Sequence, residues 1–271
     1  MRRLLNIISG HLDFVKRLPR EVNDVQPCKK PFLCKLIWGT MSFFYPRFHL
    51  CGLENIPDSP CVVVGNHAQI HGPLVAELRL PFPRYTWCAA EMLTREDVAD
   101  YAYRDFWSRK PGYIRWLFWL VSRVLPIPAT YILSHGDVIP VYHDNRVIKT
   151  FRQSLQRLQE GNHLLIFPEK DVPHNGILWE FQDRFIDIAK PYYKRTGEKL
   201  AFVPMYLAPE LRKIIFGKPI AYDPDIPFDQ QREEICRYLM DSITELAVSQ
   251  PKHRVIPYPN MAKRDYPTNI L

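Results

Sequence analysis

The stretch that decides the fold runs from residue 61 to residue 73 and reads CVVVGNHAQIHGP. Its first four residues are apolar and rich in β-branched side chains, which predicts a short buried strand. The polar pair Asn66-His67 follows at once, and Pro73 predicts a helix that starts at this residue. Open α/β sheets bind ligands beyond the carboxyl ends of their strands. His67 is therefore a candidate functional residue, although a lone histidine is more often structural.

The chain beyond this stretch alternates between strands and helices. Strands are predicted at Val138 to Tyr142, His163 to Phe167, Phe202 to Leu207 and Ile214 to Phe216. Helices are predicted at Arg146 to Glu160, ended by Gly161, and at Gln230 to Ser249, capped by Asp229. Such alternation predicts an α/β fold with a central, largely parallel sheet flanked by helices.

The first 50 residues are expected to form a membrane-associating helical segment, ahead of a domain at residues 51–271. Apolar residues recur at helical spacing between residues 4 and 18, with basic residues between them. A second apolar stretch, residues 32–50, is rich in aromatic side chains. Neither reaches the roughly 20 apolar residues that a spanning helix needs. Each helix therefore either lies on a bilayer surface or covers the domain core.

A third apolar segment lies at residues 113–133. Its centre is rich in tryptophan and leucine, but Arg115 and Arg123 flank the apolar run. Pro126 and Pro128 then break any helix. The segment is predicted to be an interfacial helix with tryptophan at headgroup depth, or else an ordinary buried helix.

The composition favours anionic partners. The formal net charge of the 271 residues is +7, yet no zinc-finger spacing, basic run or RNA-binding aromatic signature occurs, so lipid headgroups or a phosphorylated acyl donor fit better than nucleic acid. The six cysteines contain no Cys-x-x-Cys pair and are interpreted as reduced, mostly buried thiols. The spacing of the histidines matches no metal-ligand pattern, and no metal site is predicted.

A second polar strand end lies about a hundred residues after the first. The predicted strand His163 to Phe167 is followed by Pro168, Glu169 and Lys170. Two strand ends that bear a histidine and a glutamate predict one shared site. We expect the His67 imidazole and the Glu169 carboxyl to open into a common apolar cleft.

Four short blocks occur in order along residues 50–222. They are Asn66-His67 with GLENIP before it (52–57), GDVIPV (136–141), Phe167-Pro168-Glu169, and Val203-Pro204 with GKPI after it (217–220). In kind and order these blocks resemble those of the glycerol-phosphate and lysophospholipid acyltransferases, the PlsC-like family. The order and spacing are more specific than any single block.

The chain departs from the family pattern at several positions. The aspartate of the first block falls at Gly72, and the arginine that usually ends the second falls at His143, with Arg146 close by. In the third block Lys170 takes the glycine position and Val172 the arginine position. The histidine and the glutamate are kept, whereas the orienting carboxylate and phosphate-binding arginines are replaced.

The resemblance implies an O-acyltransferase of phospholipid biosynthesis that transfers a fatty acyl group to a hydroxyl of a lysophosphatidate-like glycerolipid. The donor would be acyl-CoA or acyl carrier protein as co-substrate, with no further cofactor. His67 would be the general base. The residues expected to bind substrate are Asn66, His143, Arg146, Pro168, Glu169 and Lys170. Such a protein would act on the cytoplasmic face of a membrane, peripheral or monotopic, without a nucleic-acid partner.

Three alternatives arise for the lost aspartate, because a general base is usually oriented by a partner. His71 lies four residues after His67 and is predicted as a catalytic partner that faces it. A carboxylate remote in sequence is the second alternative, with Glu77, Glu91 and Asp97 as candidates. The third is a catalytically weakened relative that only binds lipid or acyl carrier. A serine hydrolase is disfavoured, since no Gly-x-Ser-x-Gly motif occurs.

Overall fold

The computed structural model describes residues 31–94, 97–103, 112–124, 131 and 133–271. The predicted helix between residues 4 and 18 lies outside the described residues, as do Pro126 and Pro128. The described chain is a mixed α/β fold with a mostly parallel central sheet flanked by helices, so the predicted fold class is confirmed.

The strands form one large sheet and one ribbon. The sheet strands are β1 (His49–Cys51), β2 (Cys61–Gly65), β3 (Arg84–Ala89), β4 (Val138–Val141), β5 (His163–Ile166), β8 (Ala201–Ala208), β9 (Lys213–Phe216) and β10 (Ile220–Ala221). Their order is β1-β9-β8-β2-β5-β3-β4, with β10 also on β8. All pairs are parallel except those of β8 with β9 and β10. The antiparallel ribbon consists of β6 (Glu169–Pro173) and β7 (Trp179–Phe181).

The described helices are α1 (Phe32–Phe44), α2 (His71–Arg79), α3 (Val98–Ala102), α4 (Gly112–Val124), α5 (Val147–Gln159), α6 (Ala189–Thr196) and α7 (Phe228–Val248). Gly161 has a φ of 87° just after α5, as expected of a glycine that ends a helix. Two predicted helix starts are wrong. Helix α2 begins two residues before Pro73, and α7 begins at Phe228, so that Asp229 lies in its first turn and does not cap it.

Side chains that alternate along the strands build two cores, one on each face of the sheet. Val62 and Val64 of β2 belong to the core that α5, α6 and α7 cover. Val63 faces the other way and packs in the core with Val75 of α2 and, at its rim, Phe48. The continuous burial of β2 follows from its position in the middle of the sheet, covered on both faces.

The segment before the predicted domain boundary belongs partly to the sheet. Strand β1 pairs in parallel with β9 and crosses the boundary predicted at residue 50. Helix α1 is attached through the Arg79 guanidinium, which donates to the Ser42 carbonyl at 2.7 Å and to the Pro46 carbonyl at 2.9 Å. Cys34 and Cys61 are buried and Cys51 is exposed, and all are free thiols.

Two of the described helices expose large apolar side chains. On α1 these are Phe32, Leu33, Leu36, Phe43 and Phe44, and on α4 they are Tyr113, Trp116, Leu117, Trp119, Leu120 and Val121. An ordinary buried helix would hide these side chains, so that alternative for α4 is wrong. None of the helices in the described ranges is both long and apolar enough to cross a bilayer.

Candidate active site

The candidate site forms where β2 and β5 end side by side. The two strands are parallel neighbours, with Val64 opposite Ile166. The residues that follow them therefore leave the sheet at one edge. There the His67 backbone N–H donates to Glu169 Oε2 at 2.6 Å. The structure thus brings the two strand-end residues of the sequence analysis into direct contact.

Asn66 ties the start of the His67 loop to the neighbouring strand β8. Its side chain is 2% exposed. Asn66 Oδ1 accepts from the Leu207 N–H at 2.7 Å, and Nδ2 donates to the Leu207 carbonyl at 3.1 Å. Because the amide pairs with a backbone donor and a backbone acceptor at once, it fixes where the loop begins. Substrate binding by Asn66 stays a prediction.

Glu169 connects the His67 loop to the ribbon. Oε2 accepts from His67, and Oε1 accepts from the Trp179 backbone N–H at 3.1 Å. Burial raises the pKa of this carboxyl to about 7, against the opposing effect of the two backbone hydrogen bonds. Glu169 is only 3% exposed. The expectation that its carboxyl opens into a cleft with His67 is therefore wrong, and its predicted acceptor-binding role stays a prediction.

The loop after His67 has a constrained backbone. Ala68 and Gln69 have φ angles of 47° and 55° in the left-handed region, which costs roughly 1–2 kcal/mol for each residue that has a Cβ. The turn is closed by two hydrogen bonds: the His71 N–H donates to the Ala68 carbonyl at 3.1 Å, and the Gly72 N–H donates to the His67 carbonyl at 2.9 Å. Strain of this kind clusters at functional sites.

Gly72, the position at which the sequence resemblance expects an aspartate, is closely packed. A Cβ at this position would lie 2.4 Å from the His67 carbonyl oxygen and 3.1 Å from a ring carbon of Phe167. The backbone of the His67 loop thus packs against the position that the family gives to aspartate. No larger side chain fits there unless this loop moves.

The His67 ring is half-buried between two aromatic rings. The centroid of Phe167 lies 5.4 Å away and that of Tyr258 5.7 Å away, both edge-on to the imidazole. These contacts restrict the orientation of the imidazole. Tyr258 was missed by the sequence analysis, because it lies almost 200 residues after His67 in a proline-flanked stretch without periodicity.

The proposed partners of His67 have contacts of their own. His71 Nδ1 lies 2.9 Å from the Tyr45 hydroxyl. Burial, and then the charge of Lys263, lower the pKa of His71 below its ordinary value of 6.5.

Among the remote carboxylates, Glu77 pairs with Arg84 at 3.6 Å and Asp97 accepts from the Thr94 hydroxyl at 2.7 Å. The charge of Glu91 acts on Cys88, whose pKa is raised mainly by burial. The role of His71 as partner stays a prediction.

The remaining predicted residues lie in two different parts of the structure. His143 and Arg146 are exposed beyond β4, which two strands separate from β2, about 14 Å across the sheet. Arg146 pairs with Asp144 at 2.8 Å. Pro168 is buried between β5 and β6, and Lys170 borders a cavity of about 650 Å³ between the ribbon and α7. The structure therefore does not bring His143 and Arg146 to His67, whereas Pro168 and Lys170 flank Glu169.

Comparison with known proteins gives a distant likeness to a solved structure. No family model matches the sequence, and no curated protein matches it. Among solved structures, the chain is similar to the 1-acyl-sn-glycerophosphate (LPA) acyltransferase PlsC from Thermotoga maritima, over 91% of both chains, with 16% identity and a TM-score of 0.46.

Proposed function

We propose that the chain is an O-acyltransferase in which His67 acts as the general base. It would move a fatty acyl group from acyl-CoA or acyl carrier protein to a hydroxyl of a lysophosphatidate-like glycerolipid. The observation that carries the proposal is the hydrogen bond from the His67 amide to the buried Glu169 carboxyl, which fixes a partly buried imidazole at the carboxyl edge of the sheet. The order of the four sequence blocks supports it.

The chemistry requires a base and no protein nucleophile. A hydroxyl attacks a thioester slowly until its proton is removed, and an ordinary histidine, with a pKa of about 6.5, accepts that proton near neutral pH. The hydroxyl oxygen then bonds to the thioester carbon, the carbon–sulfur bond breaks, and the departing thiolate takes the proton from the imidazolium. In this scheme the side chains of Asn66 and Glu169 hydrogen-bond to backbone groups and so fix the position of the His67 loop and its imidazole.

Action at a membrane surface is part of the proposal. The exposed apolar side chains of α1 and α4 are of the type that enters the interface between headgroups and acyl chains. The net charge of +7 adds attraction to anionic lipid. We propose that the protein binds peripherally or monotopically at the cytoplasmic face, where a lysophospholipid acceptor would be found.

A second candidate is a non-catalytic protein that binds lipid or acyl carrier. The packing at Gly72 favours it, because the backbone occupies the place where the family carries the orienting carboxylate. Such a protein would bind the same ligands as the enzyme without turning them over. Binding and turnover must therefore be measured separately.

The test compares wild type, His67→Ala and His174→Ala for acyl transfer from labelled acyl-CoA to lysophosphatidate in vesicles. His174 is a matched control because it lies in the turn that joins the two ribbon strands and pairs with Glu180 at 3.2 Å. We expect His67→Ala to lose about 10²–10⁴ of the rate, while His174→Ala keeps it and all three retain their Tm.

Equal rates in wild type and His67→Ala would refute the general base. Acyl-CoA binding without turnover in any of the three proteins, with acyl carrier protein also tried as donor, would establish the second candidate instead.

A further inference from the structure

A loop near the end of the chain, residues 254–268, is fixed at its base. Arg254 and Thr268 form an antiparallel bridge, and the Val255 N–H donates to the Pro267 carbonyl at 2.8 Å. Just beyond, the buried Asn269 donates to the Ala247 carbonyl at 2.9 Å and accepts from the His253 N–H at 2.9 Å. We name residues 254–268 the distal loop; it is a compact loop whose two ends lie side by side.

The tip of the distal loop lies on the loop that bears His67. Tyr258 contacts the His67 ring, as described above. Gln69 Nε2 donates to the Pro259 carbonyl at 3.4 Å, and the Tyr266 hydroxyl donates to Gln69 Oε1 at 3.3 Å. The distal loop therefore forms one wall of the candidate site.

A cavity of about 230 Å³ lies beside these contacts. It is bounded by the start of α2, the turn after β8 and the distal loop, and its polar lining consists of His71, Glu210, Arg254, Lys263 and Tyr266. His71 is the first residue of α2, and Tyr266 of the lining also contacts Gln69, two residues after His67. A small group held in this cavity would thus lie against the loop that bears His67.

The charges of the cavity favour an anion. Its carboxylate, Glu210, is engaged by Arg254, whose guanidinium contacts it at 2.9 and 3.0 Å. Lys263 is exposed and forms no ion pair within the described part of the chain. One lysine charge therefore remains over a cavity that the His71 ring also lines. The Tyr45 hydroxyl occupies His71 Nδ1, which leaves Nε2 for a ligand, whereas the Tyr266 hydroxyl already donates its proton to Gln69.

We propose that this cavity binds a phosphate monoester, with Lys263 as the point charge and the His71 ring as a hydrogen-bonding group. Lys263 would then take over the role of the family arginines that are missing at His143 and Val172. That the phosphate belongs to the acyl acceptor rests on the proposed function, whereas the binding of phosphate does not. A phosphate anchored here would direct the attached hydroxyl compound toward His67.

The test measures binding of sn-glycerol 3-phosphate by calorimetry at low salt, with glycerol and inorganic phosphate as comparison ligands. Wild type is compared with Lys263→Ala and with Arg264→Ala. Arg264 is the matched control, because its side chain is 87% exposed and lies next to Asp265, outside the cavity lining.

We expect Lys263→Ala to weaken glycerol 3-phosphate binding about tenfold or more, the size of a charge-assisted hydrogen bond. Arg264→Ala should bind within twofold of wild type, glycerol should not bind, and inorganic phosphate should bind in a Lys263-dependent way. Equal binding by wild type and Lys263→Ala, an equal loss in Arg264→Ala, or no phosphate binding at millimolar concentration would each overturn the proposal.

The phosphate-binding test can succeed or fail independently of the test of the proposed function. Lys263-dependent phosphate binding in a protein that never transfers an acyl group would leave the subsite intact and remove the enzyme. Turnover that depends on His67, with a KM for lysophosphatidate that is the same in Lys263→Ala, would keep the enzyme and remove the subsite.

Discussion

A methyl group added at Gly72 tests whether the His67 loop is packed as tightly as its geometry indicates. The new Cβ would lie 2.4 Å from the His67 carbonyl oxygen, far inside ordinary contact distance. In a helix, alanine is more stable than glycine by roughly 1 kcal/mol. Against this gain, overpacking costs about 1–3 kcal/mol. Displacing the His67 carbonyl also weakens its 2.9 Å bond to the Gly72 N–H, worth about 1 kcal/mol.

The sum predicts that Gly72→Ala lowers the free energy of unfolding by about 1–3 kcal/mol, measured by urea titration. Gly39→Ala is the matched control, because Gly39 also lies within a helix but a Cβ there would meet nothing within 4 Å. The control is expected to keep or slightly raise stability. If Gly72→Ala proves as stable as Gly39→Ala, the packing argument fails.

The same geometry predicts the effect of restoring the family carboxylate. Gly72→Asp should lower, not raise, any His67-dependent acyl transfer, because its Cβ displaces the backbone that holds His67. An increase in turnover on this substitution would show that the loop yields easily and that the missing aspartate alone limits catalysis.

Three further substitutions test other parts of the description. Burial raises the pKa of Glu169 from 4.5 to about 7, so the folded protein binds a proton more tightly than the unfolded chain does. The free energy of unfolding should therefore fall as the pH rises from 4.5 to 7. Glu169→Gln should remove this pH dependence in urea titrations at about pH 5 and 8, and an unchanged pH dependence would contradict the assignment. Asn66→Ala leaves the buried N–H and carbonyl of Leu207 without their partner and should cost about 2–4 kcal/mol in the same assay, whereas a cost well below 1 kcal/mol would show that Asn66 is no anchor. Phe43→Glu, at an 83% exposed position of α1, should reduce sedimentation with anionic vesicles without changing the Tm, and unchanged sedimentation would exclude α1 from the membrane contact.

The sequence alone predicts the structure correctly where the local hydrophobic pattern and the sheet topology agree. The apolar run at residues 61–64 and the helix after Arg146 were recognisable because burial on both faces, or on one helical face, leaves a clear period. The meeting of His67 with Glu169 also followed, since parallel strands end at the same edge of a sheet. No structure was needed for that inference.

The rest depends on packing that has no local signature. Strand β3 mixes polar and aromatic residues, so its pattern did not identify it. The helix starts near Pro73 and Asp229 are each predicted two residues too late, which is within the usual uncertainty at helix ends. Tyr258 reaches the His67 ring, and Lys263 the neighbouring cavity, from an irregular, proline-containing loop. Neither the alternation of strands nor the spacing of helices constrains where such a loop lies.

The long separation between the two halves of the site has a consequence for biosynthesis. About 180 residues must be added between Gly72 and Arg254, which takes about 10–40 s at ordinary rates of translation. Throughout that interval the left-handed turn at Ala68 and Gln69 lacks the support of Tyr266 and Pro259. A nascent chain still on the ribosome therefore has its histidine but not the wall that faces it. Ribosome-bound chains stalled before residue 254 should lack any His67-dependent acyl transfer that the released chain performs.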